Sequence, residues 1–131
     1  MYEDEFEFGE NIDARFKPLF TEYKRSADFV HSLTSRQDFF EEIDFFIAFS
    51  FYIATLEGER AAIDFCERLH RRLLDADRDD HLGLMFLAQA KFYAKLGKGM
   101  SRDLYAIEAA EAFAARGELS AARKALSLVH A

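Results

Sequence analysis

Residues 45–56 read FFIAFSFYIATL, a stretch of the chain without a single charged side chain. Apolar residues occupy opposite faces of this stretch at helical spacing, and a helix that is apolar all round is buried in a core or an interface. The run is too short to span a bilayer, and acidic residues at 41, 42 and 44 come just before it. It therefore predicts a helix that is buried either in the core or at an interface, without a membrane role.

The rest of the chain predicts helices around this one. Ala, Leu, Glu and Arg are abundant and β-branched residues are scarce, which favours helix over sheet. Short connections between helices make neighbours antiparallel. The pattern thus predicts an all-α protein of about six antiparallel helices, arranged as a stack of helical hairpins or a compact bundle. The predicted spans are about 12–33, 36–57 with Ser35 as its N-cap, 59–75, 81–96, 102–115 with Ser101 as its N-cap, and 119–129.

The chain length and the ends of the pattern predict the domain organisation. Residues 1–10 are strongly acidic and carry too few apolar side chains to pack, so they are interpreted as a flexible arm. Residues 11–131 contain no Pro- or Ser-rich linker and are predicted to form a single helical domain. Cys66 is the only cysteine, and the acidic start is unlike a signal peptide, so a cytoplasmic location is expected.

The charge of the chain and its lack of known catalytic motifs argue against nucleic-acid binding and catalysis. The net charge of −7 opposes binding to nucleic acid phosphates. The chain has no glycine-rich phosphate loop and no nucleophile elbow, and Cys66 falls on an apolar helix face where a thiol is inert. These features favour a protein-binding role over catalysis, with no cofactor, no nucleic acid and no membrane among the expected partners.

The last third of the chain resembles a known repeat family. Its small residues suit close helix contact, and its glycine suits a tight turn. The positions similar to one tetratricopeptide repeat are Ala110, Phe113, Gly117, Leu119, Ala122 and Leu126, with a partial earlier echo at Phe86, Ala90, Tyr93 and Gly97. This earlier match ends at Gly97, because the spacing from Gly97 to Arg102 is wrong for the second helix of a repeat. The resemblance implies a right-handed stack of helical hairpins with a concave, partner-binding surface. Two Ala-rich antiparallel helices outside that family would carry the same pattern.

The leading functional prediction is a small adaptor or chaperone that captures a helix or an extended segment of a partner protein. Phe86, Tyr93 and Phe113 are predicted to line its groove, with Lys91 and Lys95 on the rim. The apolar helix at 45–56 offers a second set of candidates. Its residues Phe45, Phe49 and Tyr52 either belong to the core or line a partner or homodimer surface.

Three alternatives come from other classes. The pair Arg25 and His31 superficially resembles the arginine–histidine signature of the small helical HEPN ribonucleases, in which both residues handle a scissile phosphate. Glu67 and His70 have the spacing of the Glu-x-x-His pairs that bind metals in helical bundles, although only one such pair is present. A small acidic protein could also act as an immunity or antitoxin protein that neutralises a basic toxin.

Overall fold

The computed structural model describes residues 14–76 and 78–129, so the predicted arm at 1–10 lies outside the described residues. The described residues contain helices and turns but no strand, which confirms the predicted all-α fold. The chain divides into two compact units, Met1–Arg72 and Leu73–Ala131, called unit 1 and unit 2. The helices are α1 (Phe16–Arg25), α2 (Phe29–Thr34), α3 (Ile43–Glu57), α4 (Glu59–Asp75), α5 (Leu82–Lys95), α6 (Gly99–Ala115) and α7 (Leu119–Leu126), with a 3-10 turn at Phe39–Glu41.

Helix α3 forms the core of unit 1, which is one of the two interpretations that its charge-free sequence allows. Every residue from Phe45 to Phe51 is buried, and Phe49 has no exposed surface. The Phe49 ring centroid lies 5.7 Å from that of Phe16, 6.1 Å from that of Phe29 and 5.8 Å from that of Phe65. These rings come from α1, α2 and α4, so one side chain of α3 contacts aromatic rings on all three other helices of the unit.

The predicted helix at 12–33 is two helices in the structure, and this part of the prediction is wrong. Ser26 is extended, with φ −120° and ψ 122°, and separates α1 from α2. In one continuous helix, Phe29 would lie more than about 100° from the face that Phe16 and Tyr23 share. Breaking the helix lets Phe29 turn inward, where it is 6% exposed and packs edge-on against Tyr23 at 5.5 Å. Burial of an aromatic ring explains a break that no proline or glycine marks.

Ser35 is not the N-cap of the central helix. It follows α2, and its hydroxyl donates a hydrogen bond to the His31 carbonyl at 2.8 Å. The 3-10 turn at Phe39–Glu41 comes next, and α3 begins only at Ile43. This arrangement buries both Phe39 and Ile43 completely. Burying Phe39 and Ile43 therefore stabilises the fold more than an N-cap at Ser35 would.

Polar contacts connect the ends of the short helices of unit 1 to the longer ones. Arg15 pairs with Glu42 at 3.1 Å, and Lys24 at the end of α1 pairs with Glu57 at the end of α3. Arg72 Nε on α4 donates to Thr34 Oγ1 at the end of α2 at 3.1 Å. The two ion pairs are partly exposed, so water and salt screen them and they contribute little compared with the aromatic core.

Unit 2 consists of two consecutive helical hairpins with the same turn. The Lys98 amide donates to the Tyr93 carbonyl at 3.0 Å, and the Glu118 amide donates to the Phe113 carbonyl at 2.9 Å. Gly97 and Gly117 occupy the left-handed position inside each turn, with φ of 72° and 77°. This is the Schellman arrangement, which favours glycine because a Cβ there is strained. It folds α6 back on α5 and α7 back on α6.

A close contact between helices fixes the first hairpin. Gly83 lies in the first turn of α5, and a Cβ placed on it would be 2.7 Å from the ring of Phe113 on α6. Phe113 is itself only 6% exposed. The ring therefore packs directly on the backbone of α5, which only glycine permits.

Gln89 on α5 is a buried polar residue whose removal is expected to stabilise the protein. It is 1% exposed, and its Oε1 has no hydrogen-bond partner among the described residues. A buried acceptor without a partner costs about 1–3 kcal/mol. We expect Gln89→Met, which keeps the length of the side chain, to raise the free energy of unfolding by about 1 kcal/mol in urea titrations. The exposed Gln37→Met is the control and should change it by about 0.5 kcal/mol or less. If Gln89→Met is less stable than the wild-type chain, the buried Gln89 amide does not destabilise the protein, and the prediction is wrong.

Candidate protein-binding surface

Two of the predicted groove residues come together on one side of the first hairpin. Phe86 and Tyr93 on α5 are half-buried, and both contact Tyr105 on α6. The rings of Tyr93 and Tyr105 stack with centroids 5.3 Å apart, and Phe86 lies 6.0 Å from Tyr105. The sequence interpretation missed Tyr105. The three rings pack α5 against α6 and leave part of each ring at the surface.

The other predicted groove residues lie elsewhere. Phe113 is buried against Gly83 and belongs to the hairpin interior. At about 100° per residue, Lys91 and Lys95 lie on the side of α5 opposite Phe86 and Tyr93. The structure therefore brings the two aromatic residues together but does not place the lysines on the rim of the same surface.

The apolar helix α3 is core in this structure. Phe45 is 6% exposed and Phe49 is fully buried, whereas Tyr52 is half-buried against the rings of Phe16 and Phe20. Of the two interpretations of this helix, the core agrees with the burial of Phe45 and Phe49. Neither ring offers surface to a second copy of the chain.

Helix α6 has an exposed apolar stripe on the side away from its buried residues. Met100 is 81% exposed, Leu104 60% and Ile107 40%. Their spacing of four and three residues places them on one line along the helix, and Glu111 continues this line by one more turn. The buried face of α6 consists of Ala106, Ala109, Ala110 and Phe113. The helix thus has apolar residues on two faces: one is buried, and the other is exposed in the part of the chain that the structure describes. The exposed line from Met100 to Glu111 is called the outer face of α6.

Carboxylates accompany this stripe. Glu108 lies beside it and Glu111 lies in line with it; both are exposed, and neither makes an ion pair with any residue between 14–76 or 78–129. Arg102, the one basic residue of α6, lies on the opposite side of the helix and pairs with Asp103 at 3.0 Å. The outer face of α6 therefore combines an apolar stripe with unpaired negative charge.

The sequence interpretation missed this face for an identifiable reason. With Ser101 as the predicted N-cap, Met100 falls in the preceding turn, whereas α6 begins at Gly99 in the structure. The small residues between 106 and 115 also drew attention to the hairpin side of the helix. The spacing of Met100, Leu104 and Ile107 was the signal that could have found it.

The ribonuclease candidates do not share a helix. Arg25 is the last residue of α1 and His31 lies in α2, with Ser26–Asp28 between the two helices. Both side chains are exposed to solvent, and the two residues belong to different helices.

The metal and thiol candidates lie on α4. Among the described residues, no three His, Cys, Asp or Glu side chains are grouped so that they could hold a metal ion, and burial lowers the pKa of His70. Cys66 is completely buried. Burial raises the pKa of its thiol to about 12, partly offset by a hydrogen bond with the Ser50 hydroxyl. A thiol in this environment stays protonated and unreactive.

A cavity of about 210 Å³ lies in unit 1 between α1 and the start of α3. Its floor is apolar and includes Leu19, Phe45 and Phe46, while two ion pairs, Arg15–Glu42 and Arg36–Glu22, lie on its rim. Small-molecule sites are usually larger, at about 300–1,000 Å³. The arginines already have carboxylate partners, so this cavity is not an anion site.

Within residues 14–76 and 78–129, no helix has both the length and the apolar character that crossing a bilayer requires. The chain matches no family model, no curated protein and no solved structure.

Proposed function

We propose that this chain is a non-catalytic protein-binding module, an adaptor or a chaperone, that captures an amphipathic helix of another protein on the outer face of α6. The observation that supports the proposal is the stripe of Met100, Leu104 and Ile107, which are 81%, 60% and 40% exposed. Large apolar side chains in a row on an otherwise well-packed helix mark surfaces that bind other proteins.

A partner helix fits this stripe better than a small molecule does. Anchors spaced like those of the stripe match the apolar residues of a second helix packed alongside. Covering each partly exposed side chain contributes on the order of 1 kcal/mol, so the stripe contributes a few kcal/mol before the cost of association. We therefore expect weak, reversible binding, as suits an adaptor or a chaperone.

The proposal also includes the resemblance to tetratricopeptide repeats. Two consecutive hairpins with the same glycine turn support it, because repeat proteins stack such hairpins to present one helix face to a partner. The single buried thiol fits a cytoplasmic setting, which we include in the proposal.

Photocrosslinking in the cells that make the protein tests the proposal. A benzoylphenylalanine at Met100 should give a discrete adduct with another protein, and the same group at Leu56, an exposed apolar residue of α3, should not. The double variant Leu104→Gln/Ile107→Gln should abolish the adduct. Glutamine keeps the helix and both positions are exposed, so the fold should be retained, as circular dichroism can verify.

The matched control variant is Leu56→Gln/Leu74→Gln, which removes two leucines that are 50% and 58% exposed elsewhere. It should leave the Met100 adduct intact. An adduct that persists in Leu104→Gln/Ile107→Gln, or one equally strong from Leu56, would show that the outer face of α6 is not the binding surface.

A further inference from the structure

We infer that the helix bound by the outer face of α6 is basic, with lysines or arginines flanking its apolar stripe. This inference rests on the proposed function and specifies its partner. The outer face is apolar from Met100 to Ile107 and then acidic, with exposed carboxylates at Glu108 and Glu111. A partner that covers the stripe must bring its own polar residues close to these two carboxylates.

The charges of α6 favour a cation at this place. Carboxylates elsewhere in the described chain, such as Glu22, Glu42 and Asp64, already pair with arginines. Glu108 and Glu111 have no such partner among the described residues. An apolar or acidic partner helix would remove water from these charges without replacing its hydrogen bonds, which weakens binding. A basic helix replaces them with ion pairs at the rim, which adds affinity and speeds association.

A second copy of this chain fits the face less well. In an antiparallel pair of α6 helices that sets Leu104 against Ile107, Glu111 falls against Met100 of the second copy. In a parallel pair, Glu111 falls against Glu111. The first arrangement desolvates an unpaired charge and the second brings like charges together. The stripe from Met100 to Ile107 is also only about 10 Å long, one helix wide, and covers much less than the roughly 800 Å² per partner of a stable dimer.

Designed peptides test the charge of the partner directly. Three labelled helical peptides of about 18 residues carry the same leucine and alanine stripe, with lysine, glutamine or glutamate at all other positions. Fluorescence anisotropy at low salt should show that the lysine peptide binds about tenfold tighter than the glutamine peptide, and that the glutamate peptide binds weakest. The difference should shrink at high salt because salt screens exposed charges.

Variants of the full chain distinguish binding at the outer face of α6 from attraction by the overall negative charge of the protein. Glu108→Gln/Glu111→Gln should weaken binding of the lysine peptide about three- to tenfold. Asp38→Asn/Glu41→Gln removes the same charge from exposed residues of unit 1 and should change binding less than about twofold. An equal loss in both variants would overturn the inference, because attraction would then be nonspecific.

Other results distinguish the inference from the proposed function. Equal or tighter binding of the glutamine or glutamate peptide would overturn the inference and leave the proposed function standing. If none of the three peptides binds, the inference is also overturned. The crosslinking at Met100 would then test the proposed function by itself. Self-association in sedimentation experiments that Leu104→Gln/Ile107→Gln abolishes would identify a second copy as the occupant and would also overturn it.

Discussion

Replacing Phe49 with alanine is expected to lower the free energy of unfolding by about 4–5 kcal/mol. Truncating a fully buried phenylalanine costs about 3–5 kcal/mol, since apolar contacts are lost and a cavity remains. Phe49 should lie at the upper end because its ring contacts those of Phe16, Phe29 and Phe65, and such pairs add about 0.5–1.5 kcal/mol each. Domains of this size are stable by only about 5–15 kcal/mol, so the variant should be largely unfolded by mild heating.

Urea titration followed by circular dichroism measures this loss. Phe49→Leu keeps much of the volume and should cost clearly less than the alanine variant. Leu56→Ala, at a position that is 50% exposed near the end of the same helix, should cost about 1 kcal/mol or less. A cost for Phe49→Ala as small as that for Leu56→Ala would mean that α3 is not enclosed, and its aromatic residues would again be candidates for an interface.

The burial of α3 shows what the sequence could predict well. A charge-free stretch at residues 45–56 predicts a helix buried in a core or an interface, and the glycines at 58, 97 and 117 favour helix ends. The structure buries Phe45–Phe51 in the core and leaves Leu56, near the end of the helix, 50% exposed. The break at Ser26 was not predictable in this way. The break depends on the packing of Phe29 against Phe49 of α3 and Phe65 of α4. Those contacts form only once the helices have packed together.

The candidate surface was predictable only in part. Phe86 and Tyr93 lie together because residues seven apart share a helix face, which the sequence shows directly. For the outer face of α6, the spacing of its apolar residues shows that a stripe exists, but α6 is apolar on two faces and periodicity alone does not tell which of them a neighbour covers. Packing of α5 and α7 on the alanine side of α6 decides this, and it leaves Met100, Leu104 and Ile107 outside.

Gly83→Ala is expected to lower the free energy of unfolding by about 1–3 kcal/mol, although alanine normally stabilises a helix. The new Cβ would lie 2.7 Å from the Phe113 ring, and Phe113 is buried, so either the ring or the helix must move. Gly99→Ala is the matched control, since Gly99 also lies in the first turn of a helix. Its Cβ would meet only Arg102 at 3.5 Å, so the variant should be neutral or gain up to about 1 kcal/mol from helix propensity.

A double-mutant cycle shows whether the contact with Phe113 causes the destabilisation by Gly83→Ala. Phe113→Leu removes the ring that the new methyl group would strike, at a cost of its own. In that background, Gly83→Ala should cost about 1 kcal/mol less than in the wild-type chain, as expected for coupled neighbours. Equal costs of Gly83→Ala in both backgrounds would show that α5 and α6 do not approach as closely as described. Since the same approach holds α6 in register on α5, it also determines which face of α6 remains open to a partner.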